Sequence, residues 1–193
     1  MTIPRDSLIA LLDAHVPADE TERADLERMR TFARDLEQPF SRSQLGASFT
    51  GSALVVDPKT ERICLIYHKK FDRWLQPGGH AEEKDEGDMA RTALREAEEE
   101  IGIPMKLHSP SELLGIDIHT IPARGDEPEH LHLDMRFLVL AKEEDQLKAN
   151  LNEVEKAKWF SWEEATAKIS EPVMKRLIEK ARRIVESTPL AHF

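Results

Sequence analysis

Three glutamates near the middle of the chain have the type and spacing to hold a divalent cation. Apolar residues in the segment 88–101 recur four, three and four positions apart, which predicts a helix. At about 100° per residue, Glu96, Glu99 and Glu100 share about one third of the helix circumference. Because like charges at i,i+4 weaken a helix, their grouping favours a function. A hard cation such as Mg²⁺, which prefers oxygen ligands, provides one.

The surroundings of these glutamates support a cation site. A glycine-containing loop, Pro77–Gly79, precedes the helix and allows close backbone approach, so its carbonyl groups could add a ligand. Gly102 follows as a helix stop signal. The segment Gly79–Glu100 holds nine acidic and three basic residues, which is −6 of the chain's net −10. The alternative interpretation is a solvated helix face, the usual structure of a charge run.

The pattern of these residues resembles the Nudix box. Residues 95–103 read Arg-Glu-Ala-Glu-Glu-Glu-Ile-Gly-Ile, which matches the last nine positions of that box, and Gly79 matches its first glycine. The family pattern places thirteen residues between that glycine and the arginine, whereas fifteen separate Gly79 from Arg95. The box's early glutamate, which braces the arginine in the family, therefore falls on Asp85 or on Gly87. Either Asp85 or Glu86 could take its place.

The resemblance implies a fold, a cofactor and a reaction. The implied fold is α/β (α+β), a Nudix-like α/β/α sandwich with a mixed sheet. The implied cofactor is Mg²⁺, with Mn²⁺ as an alternative. The implied reaction is hydrolysis of a diphosphate linkage in a nucleoside diphosphate linked to another moiety, a small-molecule substrate. Such chemistry depends on charge neutralisation and positioning.

Roles for individual residues follow from the same resemblance. Glu96, Glu99 and Glu100 are the implied metal ligands, and the backbone carbonyl of Gly79 or Gly78 completes the set. Arg95 is expected to orient the carboxylates through an ion pair. A catalytic base must also activate the attacking water. In the family this base is often a glutamate in a later loop, so Glu153 and Glu155 are candidates, and Glu100 is another.

A second cluster lies in a predicted strand, residues 130–137. Apolar and polar residues alternate there, so two histidines, Asp134 and Arg136 share one face. One interpretation is the wet face of an antiparallel sheet. The other is metal or phosphate binding, with His119 and Arg124 converging on the same place. We predict substrate binding and assign no second metal; the predicted residues are His80, His130, His132, Asp134 and Arg136.

The rest of the chain predicts a helical arm and one domain. We expect residues 1–40 to form an N-terminal arm with apolar residues at helical spacing, which packs on the domain or, in a homodimer, on the partner subunit. Residues 41–193 form the Nudix-like domain, and Ser41–Gln44 reads as a linker. Its predicted strands are 49–56, 63–67, 74–75, 113–118, 131–141 and 159–162, and a helix begins near Ser170.

Composition excludes several classes of protein. A net charge of −10 argues against general nucleic-acid binding, which needs a basic surface. No uncharged apolar run approaches the ~18 residues of a membrane span, and no signal peptide is evident. The single cysteine, Cys64, excludes an internal disulfide framework, so a cytoplasmic location is expected.

Two other functions stay open on the sequence alone. The fold also carries isopentenyl diphosphate isomerases, in which a cysteine and a glutamate handle protons. Cys64 lies in a predicted core strand, which disfavours this alternative. The altered box could instead belong to a non-catalytic nucleotide sensor, although all three carboxylates are present.

Overall fold

The computed structural model describes residues 5–41, 46–126, 128–152 and 154–187, and within these it has helices on both sides of one mixed sheet. The predicted fold class is thereby confirmed. The helices are α1 (Arg5–Ala14), α2 (Glu20–Asp35), α3 (Met89–Ile101), α4 (Trp162–Lys168) and α5 (Pro172–Ser187). The strands are β1 (Ala47–Asp57), β2 (Arg62–His68), β3 (Arg73–Leu75), β4 (Gly78–His80), β5 (Lys106–Leu107), β6 (Gly115–Ile121), β7 (His130–Leu140) and β8 (Val154–Ser161).

The sheet is organised around a long parallel pair. β1 and β7 lie side by side from the pair Ala47–Leu131 to the pair Val56–Leu140. The opposite edge of β1 pairs antiparallel with β4 and then with β2, which also pairs with β3 and β8. The outer edge of β7 pairs antiparallel with β6 and β5. β4 and β6, which carry site residues, therefore flank the two central strands.

Each face of the sheet has its own apolar core. Leu133, Met135 and Phe137 of β7 share one core with α1, α2 and α3. Leu138 and Leu140, on the opposite face, share the other core with α4 and α5. Strand alternation explains why a single strand contributes to both cores. The sheet is thus a packed middle layer, and polar residues buried in it need partners inside the protein.

The N-terminal arm packs on the edge of the sheet in the same chain. Asp19 caps α2, and its side chain accepts a hydrogen bond from the backbone of Glu22. The buried Glu22 carboxylate accepts a hydrogen bond from the backbone N–H of Ile116 at 3.0 Å, and Asp25 accepts one from Ile118 at 3.3 Å. These contacts satisfy N–H groups on the outer edge of β6. A homodimer through the arm stays a prediction.

Several predicted boundaries differ from the structure. The strand predicted at 159–162 begins earlier in the structure, where it is β8, because β8 pairs with β2 along most of its length. Trp162 is not in that strand; it begins α4, where Ser161 provides the cap. The predicted strand 113–118 begins at Gly115 instead, and most of the predicted linker Ser41–Gln44 lies outside the described residues. Among the described residues, none of the helices has both the length and the apolarity that a membrane crossing needs.

Candidate functional site

α3 is held firmly against β1, and this fixes the position of its glutamates. Asp88 caps the helix by accepting hydrogen bonds from the backbone of Ala90 and Arg91, and Gly102 ends it in the left-handed region at φ 74°. A Cβ at Gly51 of β1 would lie only 2.7 Å from the carbonyl oxygen of Met89. The absence of a side chain at Gly51 therefore allows the helix backbone to lie directly on the strand.

The three predicted metal ligands lie around the glycine loop. Glu100 is buried, and its carboxylate accepts a hydrogen bond from the backbone N–H of Gly78 at 3.0 Å. A Cβ at Gly79 would lie 2.7 Å from either carboxylate oxygen of Glu96, so a side chain there would displace that carboxylate. Glu99 is more exposed and accepts a hydrogen bond from Lys84 at 2.9 Å. The structure thus brings all three carboxylates to one end of α3.

Arg95 joins the glutamates to the loop. One of its terminal nitrogens donates to Glu96 at 2.9 Å and to Glu99 at 3.0 Å. The other donates at 2.8 Å to the backbone carbonyl of His80 and at 2.8 Å to Asp85. Since its side chain is only 11% exposed, this guanidinium is a fixed part of the site. The hydrogen bond from Lys84 and the charge of Arg95 together lower the pKa of Glu99, which stays ionised.

The two additional residues before the helix form a local turn. Residues Glu83–Asp85 make a short 3₁₀ helix, which is followed by Glu86 and Gly87 in the left-handed region at φ 54° and 77°. Of the two candidates for the early glutamate's place, Asp85 contacts Arg95, whereas Glu86 is exposed and pairs with Arg91. Burial of Asp85 opposes its ionisation, but the hydrogen bond and charge of Arg95, together with hydrogen bonds from the Glu82 N–H and from Thr92, outweigh burial and lower the pKa of Asp85.

Asp85→Asn tests whether Asp85 positions Arg95. We expect it to lower kcat/KM or Mg²⁺ affinity by about 10- to 100-fold, the usual effect of losing an outer partner of a metal site. Glu86→Gln, in the same turn but exposed, should leave both quantities unchanged. Steady-state kinetics at varied Mg²⁺ provide the measurement. Kinetics of Asp85→Asn equal to those of Glu86→Gln would contradict this role.

The carboxylate site fits a hard divalent cation in the chemistry of its donors. Its donor set is oxygen only, with the carboxylates of Glu96, Glu99 and Glu100 beside the backbone of Gly78 and Gly79. The Gly79 backbone approaches the Glu96 carboxylate more closely than any side chain would permit. Oxygen donors that include several carboxylates are typical of Mg²⁺ and Mn²⁺ sites.

A second polar group occupies the opposite face of the sheet. Asp134 accepts hydrogen bonds from Thr50 at 2.9 Å and from Ser52 at 2.8 Å, and it pairs with Arg136 at 3.0 Å. Arg136 also pairs with Asp117. Since strand residues alternate, these side chains share one face of β1, β6 and β7 with the nearby histidines. We call this the polar face; its members are Thr50, Ser52, His80, Asp117, His119, His130, His132, Asp134 and Arg136.

Burial corrects one interpretation of this cluster. A wet sheet face is wrong for Asp134 and Arg136, which are only 2% and 4% exposed. Both are enclosed by their partners, so their placement favours a positioning role. Asp117, Thr50 and Ser52 were not among the predicted residues. Alternation of Asp117 with His119 in the β6 segment was the signal that could have identified Asp117.

The histidines are brought together as predicted for His80, His130 and His132. The ring of His132 lies 4.7 Å from that of His80 and 5.1 Å from that of His130, between centroids. His119 is also near, at 5.4 Å from His132, and bonds to Asp117 at 3.0 Å. Burial and the neighbouring histidines lower the pKa of His132 to about 2. Arg124, which was expected to converge here, is exposed.

The candidate bases are less well placed in the described part of the chain. Glu153 lies outside the described residues. Glu155 is exposed and bonds to Lys156 at 3.1 Å. Glu100 is the candidate that lies within the carboxylate site. A catalytic role for Glu153 or Glu100 stays a prediction.

Comparison with known proteins identifies the family. The NUDIX domain model matches residues 50–181, which is more than half of the chain and includes the glycine loop, α3 and the polar face. The chain belongs to the Nudix family. No curated protein sequence matches it. The family match confirms the resemblance of the box and the prediction of a Nudix-type hydrolase.

Solved structures share the Nudix fold at low sequence identity. The C. elegans Ap4A hydrolase binary complex has a TM-score of 0.57 at 17% identity and covers 72% of this chain and 98% of its own. The MutT protein from Methanosarcina mazei Go1 has a TM-score of 0.53 at 20% identity, with coverages of 72% and 95%. The E. coli dihydroneopterin triphosphate pyrophosphohydrolase has a TM-score of 0.52 at 16% identity, and the match covers 72% of this chain and 96% of that one. At these identities the likeness shows the fold alone.

Proposed function

We propose that this Nudix protein is an Mg²⁺-dependent hydrolase of a diphosphate linkage in a nucleoside diphosphate linked to another moiety. The observation that carries this proposal is the grouping of Glu96, Glu99 and Glu100 around the glycine loop, with Arg95 bonded to two of them. Two structural neighbours, named as an Ap4A hydrolase and a dihydroneopterin triphosphate pyrophosphohydrolase, support a phosphate-linked small molecule as the substrate.

Glu96, Glu99 and Glu100 would hold the cation, with Mn²⁺ as an alternative to Mg²⁺, and the Gly79 carbonyl is the proposed additional ligand. When bound, the cation supplies neutralisation of the diphosphate charge and acidification of water. Arg95 keeps the Glu96 and Glu99 carboxylates in fixed orientations through its two hydrogen bonds. The Gly78 N–H does the same for Glu100. Preorganised ligands of this kind require little rearrangement during the reaction.

Lys84 gives the site a way to balance its own charge. It bonds to Glu99 at 2.9 Å and to Glu82 at 3.0 Å, and its side chain is 53% exposed. An exposed lysine side chain can move away at small cost, since surface ion pairs contribute little energy. Lys84 therefore holds Glu99 ionised, and it can leave Glu99 when a divalent cation binds there.

Either Glu100 or Glu153 is proposed as the base that accepts the proton of the attacking water.

The polar face is the proposed substrate side. His80, His130 and His132 are partly exposed at its edge and are proposed to meet the phosphate groups or the leaving moiety. Asp134 and Arg136 are proposed to support them from the buried part of the face.

The isomerase alternative depended on a reactive Cys64. That thiol is fully buried, and burial raises its pKa to about 12, which leaves it protonated.

A substrate screen tests the proposed function directly. The full chain is incubated with diphosphate-linked metabolites in Mg²⁺ or Mn²⁺, and released phosphate and nucleotide products are measured. We expect cleavage of one substrate class, dependent on the added cation and abolished by a chelator. Binding of a nucleotide without cation-dependent cleavage of any compound would instead identify a non-catalytic nucleotide-binding module.

A further inference from the structure

The histidine cluster, which consists of His80, His130 and His132, has the spacing of a metal site of its own. One ring nitrogen from each residue lies within 4.8 Å of the others. The Nε2 atoms of His130 and His132 are 3.2 Å apart. Two nitrogens bound to one tetrahedral Zn²⁺ at 2.0–2.1 Å would be about 3.3 Å apart. The His130–His132 pair is thus already spaced as two ligands, and a shift of the His80 ring would complete a three-nitrogen set.

The hydrogen bonding of His130 matches that of a metal ligand. Its Nδ1 lies 2.9 Å from the backbone carbonyl of Pro128. Because a carbonyl oxygen only accepts, Nδ1 carries a proton, and Nε2 is the ring nitrogen that faces His132. Metal-bound histidines characteristically donate their other N–H to a carbonyl or carboxylate in this way. The orientation of His130 is therefore set before any ligand arrives.

Strand alternation separates this cluster from the carboxylate site. Gly79 faces Glu96, whereas the next residue of β4, His80, faces His132 on the other side of the sheet. The donors also differ, since the carboxylate site offers oxygens and the cluster offers imidazole nitrogens. Imidazole is suited to Zn²⁺ and its neighbours in the transition series, and carboxylate to Mg²⁺ and Mn²⁺. Two neighbouring sites would therefore select different cations.

We propose that His80, His130 and His132 bind one divalent cation of the zinc type, with a fourth coordination position open to water or to a phosphate oxygen. Three protein ligands and one open position are the usual arrangement of zinc sites that meet a substrate. The cation would give the polar face a positive charge on the side of the sheet opposite the carboxylate site. This zinc proposal is independent of the proposed hydrolase function, because cation binding is measured in the absence of any substrate.

Zinc binding to the chelator-treated full chain provides the test. Calorimetric titration with Zn²⁺ in excess Mg²⁺ is expected to show one site per chain. Titration with Co²⁺ as a spectroscopic probe should give the strong visible absorption of a tetrahedral site. Replacing two ligands in His130→Ala/His132→Ala should weaken Zn²⁺ binding by more than about 100-fold, beyond the effect of losing an outer partner.

Two control variants make the result specific. His108→Ala should bind Zn²⁺ as the parent does, because His108 bonds to the backbone of Leu138, six residues along β7 from His132 and roughly 20 Å away. Glu99→Gln/Glu100→Gln should also keep Zn²⁺ binding while losing Mg²⁺-dependent turnover. Zinc binding that is lost in the glutamate variant and kept in the histidine variant would overturn the proposal.

A measurement on the unmodified chain covers the case in which the histidine variant does not fold. Imidazole ¹⁵N NMR spectra are recorded during Zn²⁺ addition. We expect the Nε2 resonance of His130 and the ligand nitrogens of His80 and His132 to shift together at one equivalent, while those of His108 stay in place. Unchanged spectra of these three histidines at one equivalent of Zn²⁺ would also overturn the proposal.

Discussion

Replacing Glu99 and Glu100 together by glutamine is expected to lower cation-dependent turnover by about a thousandfold or more. The change removes two of the three negative charges that would hold the cation, and charge stabilisation by a bound metal contributes several kcal/mol to phosphoryl-transfer transition states. The fold should survive, because the glutamine oxygen at position 100 can still accept the hydrogen bond from the Gly78 N–H. Initial rates over a range of Mg²⁺ concentrations, with thermal unfolding in parallel, measure both effects.

The matched control is Glu98→Gln in the same helix. Glu98 accepts a hydrogen bond from the backbone of Met105 at 3.3 Å and takes no part in the carboxylate site. Its replacement removes one negative charge from the same helix, against two in the double variant. Because solvent and salt screen this charge, the control should change turnover less than about threefold. If turnover of the double variant stayed within tenfold of that control, the assignment of these glutamates would be wrong.

The sequence was sufficient for the helix that carries the site. Local signals determine it: the apolar spacing and Gly102 as stop agree with one another, and the structure follows them, with Asp88 as the cap rather than as the first helical residue. The apolar stripe is nevertheless rotated, since Ala93 is fully buried and Leu94 only partly. This rotation follows from the close approach to Gly51, a contact that the helix sequence alone does not contain.

The buried polar face could be predicted only in part. Period-two alternation placed Asp134 and Arg136 on one face with the histidines, and this is correct. Their burial depends on Thr50 and Ser52, more than 80 positions earlier, and on Asp117 in a neighbouring strand. Nothing in the segment 130–137 distinguishes a charge that meets such partners from one that meets water. Whether these charges are buried depends on the parallel pairing of β1 with β7, which joins segments far apart in the sequence.

The same limit applies to Glu22 in the N-terminal arm. α2 contains several acidic residues, and its sequence pattern gives none of them a special place. In the structure Glu22 is 3% exposed and accepts hydrogen bonds from the backbone of Ala18 and Ile116 and from His15. Glu22 is therefore distinguished from the other acidic residues of α2 by its position against the exposed edge of β6, whose N–H groups need acceptors. Glu22 ties the arm to the domain that holds the site.

Glu22→Ala is consequently expected to destabilise the whole chain by about 3 kcal/mol or more, because each buried N–H group left without an acceptor costs about 1–3 kcal/mol. The change orphans the N–H groups of Ala18 and Ile116 as well as the His15 ring. Glu27→Ala, in the same helix, removes an exposed carboxylate whose partner is Arg30 and should cost less than about 1 kcal/mol. Urea unfolding of the parent and both variants at pH 7 gives the comparison.

The pH dependence of the free energy of unfolding shows whether Glu22 stabilises the chain through its charged carboxylate or only through packing. Burial opposes ionisation of Glu22, but the hydrogen bonds from His15 and the two backbone N–H groups outweigh it and lower the pKa from 4.5 to about 2. A lowered pKa in the folded state means that the stabilisation is complete above pH 4.5 and is lost as the pH falls toward 2. The stability gap between the parent and Glu22→Ala should therefore narrow by about 2 kcal/mol between pH 7 and pH 3. A gap that is the same at both values would mean that Glu22 contributes volume and packing, and that charge recognition at the β6 edge does not hold the arm in place.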